Sequence, residues 1–267
     1  MPSGIDHVVI VVNDLAEATK SLEALGFTVT FGGHHEHRPS SNALIPFADG
    51  SYIELVGFRP HPEPIVDSWW TLLKKGEGLA DYALRSERID EDIERLTSQG
   101  FSARGPIAGG RNRPDGTRVD WQIARIDTVE NARPPFIIED ITPRDLRVPS
   151  GDLAVHANWV DRIAGLTTVV EAIEPAKTLY DAVTGQSGEE VAPSIEGASA
   201  AIHYAIGGQW LELVQPADGP SPLRDYLELR GSGPYEFTLG ATAAPETVLQ
   251  VVHGARIRVP HSETKGE

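Results

Sequence analysis

Three polar side chains in this chain each stand alone on an otherwise apolar strand face, where they could do chemistry. Successive side chains of an extended run alternate between faces. His7 therefore shares a face with Ile5, Val9 and Val11, Glu54 with Tyr52 and Val56, and Glu139 with Ile137 and Ile141. A charge buried without a partner is very costly, so residues of this kind are paired, held neutral or bound to a metal. Imidazole and carboxylate are also the groups that move protons. A second concentration, His34-His35-Glu36-His37, offers an alternative metal site, although His34 and His37 read more simply as parts of a solvated loop. Arg111, Arg113 and Arg118 flank a Pro114-Asp115-Gly116 turn in a chain poor in positive charge. A guanidinium there could grip a carboxylate or phosphate with two hydrogen bonds; the plainer reading is a solvated hairpin balancing nearby acids. Asn42 and Trp121 offer an amide and a large amphipathic ring for a cavity wall, with core packing an equal alternative for Trp121.

Other chemistries are excluded. The sequence has no cysteine, which removes disulfides, thiolate nucleophiles and cysteine-ligated metals. It has no Gly-x-Ser-x-Gly elbow, no His-Glu-x-x-His, no phosphate-binding Gly-Lys loop and no dinucleotide glycine fingerprint after a strand. A net charge of −16 argues against nucleic acid and against an anionic membrane surface as partners. No apolar stretch approaches the roughly 20 residues of a membrane span. The expectation is a soluble, cytoplasmic, acidic protein of 267 residues, long enough for one large domain or two ordinary ones.

The elements that must position these residues recur. Gly4-Ile5-Asp6-His7, Gly78-Leu79-Ala80-Asp81, Gly165-Leu166-Thr167-Thr168 and Gly233-Pro234-Tyr235-Glu236 stand in the same relation to a strand-like run. From the last residue of each quartet to a later glycine the spacing is 19, 19, 17 and 18 residues, room for a strand and a helix. The first unit is clearest. Ile5 to Val12 is β-branched, Asp14 supplies an N-cap with Glu17 three residues on, Leu15, Ala18, Leu22 and Leu25 follow at helical spacing, and Gly26 ends the helix. Strands are expected over Phe27 to Phe31, Ala43 to Phe47 and Tyr52 to Val56, giving βαβββ. A helix around Ile65 to Leu73 leads to a second unit with a strand at Tyr82 to Arg85, a helix at Asp90 to Gln99 and strands at Arg118 to Asp127 and Pro135 to Ile141. A third unit starts at Leu166, with strands near Ala198 to Ile206 and Gln209 to Val214. The fourth, truncated, has a strand from Tyr235, a helix near Pro245 to His253 and one strand near Arg256 to Val259. The expected division is residues 1–145, a connector over 146–165, a degenerate second half over 166–261 and a disordered tail over 262–267.

With these elements in place the chain resembles the glyoxalase-like branch of the vicinal-oxygen-chelate superfamily, which includes glyoxalase I, bleomycin-resistance proteins and extradiol dioxygenases. The wording that carries the resemblance is Ile5-Asp6-His7-Val8-Val9, Gly32-Gly33-His34-His35, Ser41-Asn42-Ala43-Leu44, Ser51-Tyr52-Ile53-Glu54-Leu55, Arg113-Pro114-Asp115-Gly116 with Trp121, and Pro135-Phe136-Ile137-Ile138-Glu139. It is good from residue 4 to about 145 and weak beyond. The resemblance implies an α+β fold of tandem βαβββ modules, about three and a half copies, with curved mixed sheets around a cavity. It implies that His7, Glu54, Asp81 and Glu139 converge there from the first and last strands of the first two modules. One imidazole and three carboxylates would repel when ionised, so a divalent cation (Zn, Mn, Fe or Ni) or raised carboxyl pKa values must resolve the conflict. Asp81 departs from the family's usual His or Gln. His35 matches the histidine of the family's Gly-Gly-x-His segment and is a further candidate ligand.

The resemblance implies three functions. The first is a metal-assisted lyase or isomerase acting on a small polar metabolite, with Glu54 or Glu139 moving the proton and Asn42, Trp121 and Arg113 contacting substrate. The second is a small-molecule-binding (sequestration) protein without catalysis. The third is extradiol-type dioxygenation, which needs a second histidine where Asp81 stands. A homodimer is a possible partner arrangement.

Overall fold

The computed structural model describes residues 1–35, 38–113, 115–129, 132–242 and 246–261. Module one comprises β1 (Gly4–Val12), α1 (Leu15–Ala24), β2 (Thr30–His35), β3 (Ser40–Pro46) and β4 (Tyr52–Phe58); α2 (Ser68–Leu73) leads out of it. Asp14 caps α1 as expected, accepting from the backbone N–H groups of Ala16 and Glu17. Module two repeats the order with β5 (Gly78–Arg85), α3 (Ile89–Ser98), β6 (Ala103–Asn112), β7 (Arg118–Ile126) and β8 (Phe136–Asp140). The eight strands close into one barrel in the order β1-β4-β3-β2-β6-β7-β8-β5. The seams are β1 antiparallel to β5 and β2 antiparallel to β6. The modules thus pair within one chain, and the barrel needs no second copy to close.

After α4 (Arg144–Arg147) comes a second half: β9 (Arg162–Val169), α5 (Ile173–Thr184), β10 (Glu189–Val191), β11 (Ala198–Ile206), β12 (Gln209–Pro216), α6 (Pro222–Arg230), β13 (Gly233–Gly240), β14 (Thr247–Val252) and β15 (Ala255–Pro260). Its strands form an open seven-stranded sheet, β10-β11-β12-β9-β13-β15-β14. Mixed α+β architecture, curved sheets and a repeated, finally truncated module are the fold read from the sequence.

One core spans both halves. Ile5, Val8, Ile10, Val12, Tyr82 and Leu84 on the outer face of the β1–β5 seam belong to the same buried cluster as Ile163, Leu166, Tyr180, Phe237 and Leu239. Polar bonds cross the same boundary. Gln209 Oε1 accepts from Ile5 N (2.6 Å) while its Nε2 donates to Ile163 O (3.0 Å), and Tyr82 Oη donates to Tyr180 Oη (3.0 Å). His156, in the connector, accepts from Thr28 N (2.9 Å) and bonds Pro46 O (2.9 Å), so its role is structural.

Several elements differ from expectation. The helix expected over Pro245 to His253 is the strand β14, paired antiparallel with β15; Pro245 itself, like Glu36, His37, Pro114 and the tail 262–267, lies outside the described residues. Thr247, Val248, Val251 and Val252 favour an extended chain, and His253 and Gly254 turn the hairpin with φ of 47° and 70°. Strand β6 escapes the sequence reading because Gly105, Pro106, Gly109 and Gly110 suppress a strand signal. Strand β10 and helix α6 were also not expected.

Candidate active site

The barrel encloses a cavity of about 270 Å³. Which expected residues reach it is decided strand by strand. A bulge in β1 between Ile5 and His7 sends Ile5 into the outer core. His7, Val9 and Val11 then face inward. From β4, Tyr52 and Glu54 line the cavity; from β2 and β3, His35 and Asn42 do; from β7, Trp121, Ile123 and Arg125 share its wall. Of the residues singled out in the sequence, His7, His35, Asn42, Glu54, Arg111 and Trp121 are therefore brought together.

The polar end is built around Glu54. Its Oε2 lies 3.6 Å from His7 Nε2 and its Oε1 lies 3.4 Å from His35 Nε2. Asn42 Nδ2 donates to Oε1 at 2.6 Å. Burial pushes the Glu54 carboxyl up, but the hydrogen bond and charge of His35, the charge of His7 and the Asn42 amide outweigh it and bring the pKa down to about 2. Each imidazole is held from behind. His7 Nδ1 donates to Asp6 Oδ1 (2.7 Å), and His35 Nδ1 is hydrogen-bonded with Ser40 Oγ (2.8 Å). The His7 ring also stacks on Tyr52, with centroids 4.5 Å apart.

Asp6 is anchored in turn. Arg147 donates to both of its carboxylate oxygens (3.0 Å each) and Arg144 Nη1 to Oδ2 (2.6 Å). Full burial opposes its charge, yet Arg147, the hydrogen bond with His7 and Arg144 hold the Asp6 carboxyl well below the usual range. Arg147 also donates to Tyr52 Oη (2.7 Å) and pairs with Asp140. The short helix α4 after the barrel thus fixes the ring of His7 from outside the strand that carries it.

Two expected ligands do not join the group. Glu139 is on the other face of β8. Phe136 and Ile138 point into the cavity, while the Glu139 carboxylate accepts from Ile89 N (3.1 Å) and Gln122 Nε2 (2.8 Å) at the start of α3. The expectation that it faces His7 across the hollow is corrected. Asp81 is engaged by Trp69 Nε1 and Arg125 Nη1, both at 2.9 Å. Arg113 is displaced as well; it stands beside Asp115 at the hairpin, and Arg111 lines the cavity in its place. His34 is on β2 and bonded with Ser41 Oγ, not on a loop.

The four-ligand set His7, Glu54, Asp81 and Glu139 therefore does not fit a metal ion. Among the described residues no group of three or more His, Asp or Glu side chains is disposed to hold one. The second half offers no substitute: Glu212 accepts from Ser194 N and Ser194 Oγ, and Glu236 is paired with Arg256 and Arg258.

The rest of the cavity lining was largely missed from sequence. Arg38, Arg111, Arg125 and Arg147 all line the cavity, with Trp69, Phe136, Ile107, Ile123, Ile138 and Leu44 between them. Arg38 stacks on Trp69 at 4.0 Å and pairs with Asp67 (2.8 Å). Arg125 lies 4.3 Å over Phe136. One signal was available: strand alternation from Trp121 puts Ile123 and Arg125 on the same face.

Fold and site together define a glyoxalase-type paired-module barrel with a polar cavity. A model of the glyoxalase-like domain family matches residues 5–184, and the chain belongs to that family. Among solved structures, a hypothetical protein from Staphylococcus aureus is 14% identical, with a TM-score of 0.73, covering 95% of this chain and 97% of the other. A mutant of 4-hydroxymandelate synthase from Streptomyces coelicolor is 15% identical, with a TM-score of 0.60 and coverage of 90% and 71%. A xylose isomerase-like TIM barrel/4-hydroxyphenylpyruvate dioxygenase fusion protein is 16% identical, with a TM-score of 0.55 and coverage of 90% and 36%. At these identities the likeness concerns the fold alone. Comparison with curated proteins finds no match.

Proposed function

We propose that the barrel cavity takes up a small metabolite and that the His7–Glu54–His35 group moves a proton on it, as a lyase or isomerase does. The observation that carries this reading is Glu54, an ionised carboxylate with a pKa of about 2 held between two imidazoles inside a small cavity. Histidine is the side chain suited to proton transfer near neutral pH. In this reading His7 and His35 carry the proton, and Glu54 is the anion that a proton on either ring faces. Asp6, accepting from Nδ1, holds the His7 ring so that Nε2 faces Glu54. Among the described residues the buried Asn42 Oδ1 has no hydrogen-bond partner, while the same amide's Nδ2 helps hold Glu54 ionised. The residues proposed to carry the site all lie within residues 1–145; the second half covers the outer face of the β1–β5 seam.

The test is a screen of small carbonyl compounds and acids for thermal stabilisation of the wild type and of Ile138→Trp, which fills the cavity. A binder of the wild type whose effect is lost in the variant, and whose turnover is abolished by His7→Gln, supports the reading. Equal stabilisation of both proteins contradicts it.

A further inference from the structure

We propose that the cavity selects a ligand bearing a carboxylate, and that Arg111 is the residue that holds it. This rests on the reading of the cavity as the ligand site and names the class of ligand it takes.

Arg111 is 3% exposed and lines the cavity. Its side-chain bonds go to main-chain carbonyls: Nη1 donates to Gly32 O and Nη2 to Arg147 O (2.9 Å). The other three guanidinium groups on the wall each have a carboxylate: Arg38 has Asp67, Arg125 has Asp81, and Arg147 has Asp6 and Asp140. Among the described residues Arg111 has no such partner; Glu54 acts on it through space while its own oxygens face His7, His35 and Asn42. A buried cation is ordinarily paired, because desolvation without a counter-charge is expensive. The two carbonyls use two of the five N–H donors and pin the guanidinium plane, leaving the rest for a planar anion.

The remaining wall sets the body of the ligand. Tyr52, Trp69, Trp121 and Phe136 present rings, with isoleucine and leucine side chains between them. A cavity of about 270 Å³ is at the small end for ligand sites. A single carboxylate on a flat apolar body of about one ring fits that combination.

Trp69 and Trp121 make binding visible as a change in intrinsic fluorescence. The probes are acid and amide pairs of equal shape: benzoate and benzamide, phenylacetate and phenylacetamide, hexanoate and hexanamide. The expected result is that at least one acid binds the wild type about tenfold or more tightly than its amide. In Arg111→Gln that ratio falls towards one, and in Arg111→Lys, which keeps the charge without the planar fork, it is intermediate. Circular dichroism checks the fold of both variants; if Arg111→Gln does not fold, Arg111→Lys carries the test. The proposal is overturned if amides bind as well as acids, if no acid binds, or if the preference survives undiminished in the folded variants. Amide binding without acid preference leaves the cavity reading standing and removes the carboxylate; no binding by either removes both.

Discussion

His7 and Glu54 are defined by what surrounds them more than by their own chemistry. The Asp6 carboxylate behind His7 is fully buried and bonded to two guanidinium groups, so removing its charge leaves Arg147 and Arg144 short of a counter-ion. Breaking a buried pair from one side costs about 3–5 kcal/mol. Asp6→Asn is therefore expected to lower the urea midpoint of unfolding strongly, whereas exposed Glu87→Gln leaves it nearly unchanged. Glu54 gives a pH prediction with a definite sign. Its folded pKa, about 2, is below the ordinary value of 4.5, so its charge stabilises the fold fully above pH 4.5, and that contribution is lost as pH falls towards 2. The stability difference between wild type and Glu54→Gln should shrink over that window. A difference that stays constant from pH 6 to pH 2 would show that Glu54 is not held ionised by its neighbours.

At the scale of elements, the turn between β14 and β15 is tightly constrained. A Cβ at Gly254 would collide with the carbonyl oxygen of Glu77, and its φ is +70°. Gly254→Ala is expected to cost about 1–3 kcal/mol, read as a lowered thermal midpoint. The same hairpin marks where the sequence was misleading: Pro245 before an apolar run resembles a helix start, yet cross-strand pairing with β15 decides the conformation. Module one was legible because its β-branched strand, Asp14 cap and Gly26 stop agree with one another. The placement of Glu139 was not. Both faces of β8 are covered, one by the cavity and one by α3, so an apolar face with one polar residue does not reveal which side is inside. Arg111 was passed over for a related reason: with β6 unseen among its glycines, the three arginines looked like one solvated hairpin, while the strand buries Arg111 and leaves Arg113 partly exposed.

In the whole molecule, the two modules divide the cavity chemistry. Module one supplies His7, His35, Asn42 and Glu54. Module two supplies Arg111 and Arg125 on its middle strands, Ile138 and Phe136 on its last, and on its first an aspartate paired with Arg125. The second half contributes cover: its apolar residues complete the core along the β1–β5 seam. A fragment of residues 1–160 is expected to aggregate or to be cut rapidly by protease, because it exposes Val8, Ile10, Tyr82 and Leu84; a stable monomeric fragment would show that the barrel folds without that cover. The most direct test of the whole account is a crystal structure with the tightest-binding acid of the probe set. The account predicts the acid inside the barrel, its carboxylate on Arg111 and its body among Tyr52, Trp69, Trp121 and Phe136. An acid bound only outside the barrel, or a metal ion held by Asp81 and Glu139, would contradict it.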